Sequence, residues 1–215
     1  MRILRNLGFV VALALLAAWP AASQMGMRPP DFRGVWSPTV GSGAAYQMEG
    51  KAGKNEIEIT IVGKEDVDGK TGYWVEMAMN GPGGNGQMYA KNLMVTDGKS
   101  ASIAKMVVQI PGQGPMEMPG AMMNRGQAPP STDTREQGEH VGTENVTTPG
   151  GTFSCEHYKA KDGSWDVWLS PKVTPWGLVK STSNDMTMTV VRVITDAKDH
   201  ITGTPMKMPG GPPSR

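Results

Sequence analysis

Apolar and polar residues alternate along most of this chain with a period of two. In Glu56-Ile57-Glu58-Ile59-Thr60-Ile61-Val62 the three isoleucines share one face, while Glu56, Glu58 and Thr60 share the other. That pattern predicts a strand buried on one side and wet on the other. Asp68-Gly69 follows, and its glycine accepts the positive φ that a tight hairpin turn demands. Residues 73–79 then return with Tyr73, Val75, Met77 and Met79 on one face. The unit recurs as 87–95, Asp97-Gly98 and 101–110, and again as 153–159, Asp162-Gly163 and 165–169. In the stretch 151–193 alternation, turn residues and aromatics agree on a four-strand antiparallel meander. Residues 40–49 are expected to form the first strand. The best helical window, 99–108, carries the β-branched Ile103, Val107 and Val108 and fits a strand as well. The prediction is a mostly β domain over 40–202, built as a single antiparallel curved sheet with little helix.

Where the alternation fails, other signals take over. Arg2 and Arg5 precede an apolar run over 7–18, and Ala21 and Ser23 supply the small residues at −3 and −1 of a cut after Ser23. Residues 1–23 therefore read as a secretory signal peptide, and the mature protein is expected to be periplasmic or secreted. No later stretch approaches the roughly 20 apolar residues of a membrane-spanning helix, so no transmembrane segment is expected. No cysteine follows the apolar run, which argues against lipid attachment of the bacterial lipoprotein kind. Residues 24–39 form a Pro-rich, irregular lead-in that Phe32, Val35 and Trp36 could pin to the body. Residues 111–138, rich in Pro, Gly and Met, lack periodicity and read as a long mobile loop, a candidate lid. Residues 203–215 read as a flexible tail.

Composition narrows the chemistry. Lys and Arg number 21 against 20 Asp and Glu, with no run of one sign, so nucleic acid is not an expected partner. There is no nucleophile-elbow motif, no paired-histidine metal helix and no phosphate-cradling loop, and His140, His157 and His200 are scattered. The chain is accordingly read as a non-enzyme with no cofactor. Cys155 and His157 share a strand face, as a metal pair or a thiolate–imidazole pair would. No third ligand stands out, so the favoured reading makes Cys155 a small buried residue beside Phe153 and puts His157 near the strand end, meeting solvent. Asp66 and Asp68 faintly resemble a calcium loop, but Lys70 occupies the next ligand position and a charged turn is expected instead.

The 17 methionines need their own account. Met25/Met27, Met77/Met79, Met116/Met118, Met186/Met188 and Met206/Met208 are Met-x-Met pairs, with Met122-Met123 nearby. Thioethers are soft ligands, and a mobile cluster of Met116, Met118, Met122 and Met123 would suit Cu(I). In strands, however, i and i+2 face the same way, and unbranched polarizable side chains suit an adaptable apolar cavity or core. Apolar lining or core is the favoured reading and copper the alternative.

The run GTFSCEHYKAKDGSWDVWLSPKVTPWGLVK resembles uncharacterised exported bacterial proteins that look like the lipoprotein-carrier (LolA-like) superfamily. It has a Thr-Phe-x-Cys strand, a hairpin ending in Asp166-Val167-Trp168-Leu169-Ser170, a Pro-bearing link and then Gly177-Leu178-Val179-Lys180. The segment from Glu65 to Glu76, EDVDGKTGYWVE, is similar to the hairpin those proteins carry before it. Over about 40–194 the resemblance implies a sheet curled into a half-barrel whose concave apolar face holds lipid or acyl chains. The helical lids of a true lipoprotein carrier are not read in this chain, and its basic residues are not clustered.

The expectation is an exported envelope protein that binds a hydrophobic small molecule or lipid without catalysis. The residues expected to line the site are Tyr73, Val75, Met77, Met79, Met186, Met188 and Val190. Methionine-based Cu(I) handling and a purely structural or interaction role are the alternatives.

Overall fold

The computed structural model describes residues 33–51, 53–81, 86–120 and 131–207. Residues 1–23, read as a signal peptide, residues 24–32 of the lead-in, residues 121–130 with Met122 and Met123, and residues 208–215 lie outside the described residues.

Among the described residues, twelve strands form one open, curved sheet. The first meander comprises β1 (Gly43–Gly50), β2 (Gly53–Val67), β3 (Lys70–Asn80), β4 (Gln87–Thr96), β5 (Ala101–Gln109) and β6 (Met116–Pro119). The second comprises β7 (Gly138–Thr148), β8 (Gly151–Ala160), β9 (Trp165–Leu169), β10 (Leu178–Ser183) and β11 (Met186–Ile194). They join through antiparallel pairing of β1 with β11. β12 (Met206–Lys207) closes the far edge, parallel to β6, so the order is β12-β6-β5-β4-β3-β2-β1-β11-β10-β9-β8-β7. Among the described residues, no helix is long and apolar enough to cross a membrane.

The expected turns form where glycine permits them. Asp68 and Gly69 have φ of 52° and 78°, the paired positive values of a type I′ hairpin, and Asp66 accepts the Gly69 N–H at 3.1 Å. Between β4 and β5, Gly98 has φ of 94°, and Asp97 Oδ1 accepts the N–H groups of Lys99 and Ser100 at 2.9 and 2.8 Å.

Several boundaries differ from expectation, each for a physical reason. β1 begins at Gly43, not at residue 40, because the chain turns just before it: Gly41 has φ of 83° and the Ser42 N–H donates to Thr39 O at 3.1 Å. β2 continues past residue 62 through a bulge between Ile61 and Gly63. β7 was not anticipated: it is an edge strand, mostly exposed on both faces, so it carries no hydrophobic alternation. Within the stretch read as a loop, β6 adds to β5, and a 3-10 turn at Thr134–Gln137 is capped by Asp133, which accepts the Arg135 N–H at 2.9 Å. Within the stretch read as a tail, Met206 and Lys207 pair with Met116 and Glu117.

The core lies on one face, termed inner here. Register places Ala44, Ile59, Met77 and Ala90 in one row across β1 to β4, and Tyr46, Ile57, Met79 and Met88 in the next. The outer face is crossed by residues 195–205 on their way from β11 to β12. Ala197 donates to Gly41 O at 2.9 Å and Ile201 is buried. Glu76, only 1% exposed, accepts the His200 backbone N–H at 3.1 Å and pairs with its ring Nδ1 at 2.6 Å. Asp199 pairs with Lys91, and the His200 ring stacks on Tyr89 at 5.0 Å. Burial pushes the Glu76 carboxyl above the usual carboxylate range, against the opposing contacts from His200.

Candidate functional site

All seven residues expected to line a site fall on the inner face. Tyr73, Val75, Met77 and Met79 oppose Met94, Asn92, Ala90 and Met88 of β4. Met186, Met188 and Val190 oppose Gly50, Met48 and Tyr46 of β1. Alternation alone sufficed for this, because strand pairing keeps i and i+2 on one side.

Their exposure divides them. Val75, Met77, Met188 and Val190 are buried and form the middle of the core. Tyr73, Met79 and Met186 are half-buried, at the two ends of the sheet. At the end holding the β2–β3 and β4–β5 turns, the lead-in covers the face. Val35 N–H donates to Trp176 O and Ser37 N–H to Pro175 O, both at 2.8 Å. These bonds seat the Trp36 ring on Trp176 at 4.6 Å and edge-on to Tyr73 at 6.2 Å. Val35 and Trp36 thus pin the lead-in, and Tyr73 lies beneath it. At the opposite end, beside the β1–β2, β3–β4 and β10–β11 turns, Met48, Met79 and Met186 are the half-buried apolar residues of the rim, and Met48 and Met79 pack against the core.

Behind this rim stands a residue that sequence reading missed. Tyr46, in the row of Ile57 and Met79, is 1% exposed, and its hydroxyl has no hydrogen-bond partner among the described residues. Buried hydroxyls are ordinarily paired, and burial pushes this one above its usual pKa, so it remains a neutral donor. The alternation of Ala44, Tyr46 and Met48 was the signal that could have found it.

The methionines of the copper alternative divide as well. Met116 and Met118 are half-buried on the inner face of β6, whereas Met122 and Met123 lie outside the described residues.

Cys155 is buried in the core beside Phe153, with Sγ 3.5 Å from Phe153 O. Burial, reinforced by the Glu144 charge, pushes its thiol up to about 11, which removes it as a thiolate nucleophile. His157 does not meet solvent at a strand end as expected. It is held between Asp166 at 2.9 Å and Glu144 at 3.4 Å and stacks on Trp168 at 4.3 Å, because β7 and β9 flank β8 and supply those partners. Trp168 Nε1–H donates to Glu144 at 2.6 Å. Among the described residues no three His, Cys, Asp or Glu side chains group to hold a metal ion.

No family model matches the chain, and no curated protein matches it. Two solved structures resemble it weakly. A candidate exported protein with a YmcC-like fold from Bacteroides fragilis is 16% identical, with a TM-score of 0.37 over 75% of this chain and 99% of that one. A candidate lipoprotein from Parabacteroides distasonis is 13% identical, with a TM-score of 0.36 over the same shares. Likenesses this weak assign neither a family nor an activity to the chain.

Proposed function

We propose that this is an exported, non-catalytic binder of a hydrophobic ligand, a lipid or acyl chain, which it takes up at the rim formed by Met48, Met79 and Met186. The observation that carries the reading is the half-buried methionine rim, continuous with a buried apolar face and backed by the unpartnered hydroxyl of Tyr46. Unbranched thioether side chains can repack around a chain of varied length. The Tyr46 hydroxyl would donate to an oxygen of the ligand, and burial of methylenes would supply the affinity. The signal-peptide pattern of residues 1–23 and the resemblance to lipoprotein carriers support an envelope location and a lipid-like ligand.

The test is titration of delipidated protein with a fluorescent fatty acid, followed by displacement with saturated acids of increasing length. Each buried CH₂ contributes about 0.8 kcal/mol, so lengthening the competitor by two carbons should tighten displacement about tenfold until the site is filled. Met79→Glu/Met186→Glu should abolish binding while the protein stays folded. The reading fails if wild type shows no saturable binding, or if the variant binds as wild type does.

A further inference from the structure

We propose that the β5–β6–β12 edge of the sheet is a thioether site for a soft monovalent cation, Cu(I), formed by Met106, Met116, Met118 and Met206. Met118 stands directly opposite Met106 across the β5–β6 pair, and Met116 directly opposite Met206 across the β6–β12 pair. Met116 and Met118 are two residues apart on one strand, so all four side chains leave the same face of neighbouring strands. In the antiparallel β5–β6 pair, directly opposed residues such as Met106 and Met118 have Cβ atoms about 4.5–5.5 Å apart. The flexible methionine side chain lets the four sulfurs converge on one ion.

This arrangement differs from core filling in its exposure. Met106 is buried and Met118 packs on the core, but Met116 is half-buried and Met206 is 64% exposed, so an ion can reach the patch from outside. The charged residues of this edge, Glu117 and Lys207, fall at the alternate positions and face the other way. An uncharged set of soft donors selects by softness, not charge. It favours Cu(I) over zinc or Cu(II), and it needs no deprotonation to bind. The patch also depends on the C-terminal crossing, since Met206 reaches β6 only after residues 195–205 dock through His200 on Glu76, and its N–H then donates to Pro115 O at 2.9 Å.

The proposal is independent of the rim site and is tested separately. Anaerobic titration of Cu(I) against a chromogenic competing chelator should show one ion bound per chain. Met116→Leu/Met206→Leu, which keeps apolar bulk at two accessible positions, should weaken binding at least tenfold and leave fatty-acid binding unchanged. With Ag(I) as a redox-inert probe, the methionine methyl resonances of these four residues should move while those of Met48, Met79 and Met186 stay still. The proposal is overturned if wild type cannot compete with the chelator, if the variant binds Cu(I) as wild type does, or if the Ag(I) shifts fall on the rim methionines.

Discussion

His200→Ala probes how the C-terminal crossing is fastened. In the native protein the Glu76 carboxylate is almost wholly out of water and takes its ring contact from His200 at 2.6 Å. The substitution removes that contact and the stack on Tyr89, leaving the backbone N–H of residue 200 and the Lys91–Asp199 pair beside it. A hydrogen bond to a charged group contributes about 1.5–3 kcal/mol. Because the His200 side chain is 45% exposed, screening favours the lower part of that range, about 2 kcal/mol. For a chain of this size that loss lowers Tm by about 4–8 °C.

The penalty arises mainly from a carboxylate left buried with too few donors, so removing its charge should relieve it. Urea unfolding at pH 8 should find Glu76→Gln/His200→Ala more stable than His200→Ala, recovering at least half of the loss. The sign of the pH dependence follows from the raised pKa of Glu76. A carboxyl whose folded-state pKa lies above its unfolded value favours folding below the unfolded value, and that contribution is lost as pH rises through the folded pKa. The rescue should therefore shrink as pH falls through the folded-state pKa of Glu76, when the carboxyl of His200→Ala takes up its proton. A His200→Ala protein within about 0.5 kcal/mol of wild type would refute this account, as would a double variant no more stable than the single one.

Two further outcomes follow from the division between centre and rim and from the turn chemistry. Met188→Ala, in the buried centre, should cost about 2–5 kcal/mol in chemical denaturation, whereas Met186→Ala at the rim should cost under about 1 kcal/mol; equal losses would show that the rim is core. Asp97, whose carboxyl is held down to about 2 by the N–H groups of Ser100 and Lys99, should stabilise the β4–β5 turn above its unfolded value of 3.8 and lose that contribution as pH falls toward about 2. The stability gap between wild type and Asp97→Asn should close over that range, and a gap independent of pH would exclude the turn contacts as its cause.

The parts of the fold that were legible in the sequence are those whose physics is local. Ile57, Ile59 and Ile61 alternate because one face of β2 is dry, and all three are fully buried. The Asp-Gly turns announced themselves because few residues adopt positive φ. The strands that escaped lack a local signature. β7 is wet on both faces, and β6 and β12 are short segments in Pro- and Gly-rich surroundings that become strands only because β5 offers an edge. Glu76 lies on the face of β3 opposite Val75 and Met77, as the alternation of 73–79 implies. It is buried because residues 195–205 lie over it, a long-range event that no window around Glu76 contains.

The candidate sites show the same limit in sharper form. A Met-x-Met pair states that two thioethers share a face, and for Met77/Met79, Met116/Met118 and Met186/Met188 that statement holds. What each pair does depends on two further coordinates, its distance from the ends of the strand and its distance from the edges of the sheet. Met77, between the buried Ile59 and Ala90, and Met188, itself buried, sit mid-sheet and fill the core. Met79 and Met186 lie one step nearer the end left uncovered by the lead-in and so meet solvent at the rim. Met116 and Met118 stand near the sheet edge, where the pairing of β6 with β12 adds Met206 from 90 residues farther along the chain. Strand order across the sheet, set by the β1–β11 junction and the C-terminal crossing, thus gives one residue type three different environments. That is why the proposed ligand and metal sites both fall at the margins of a face whose centre is structural.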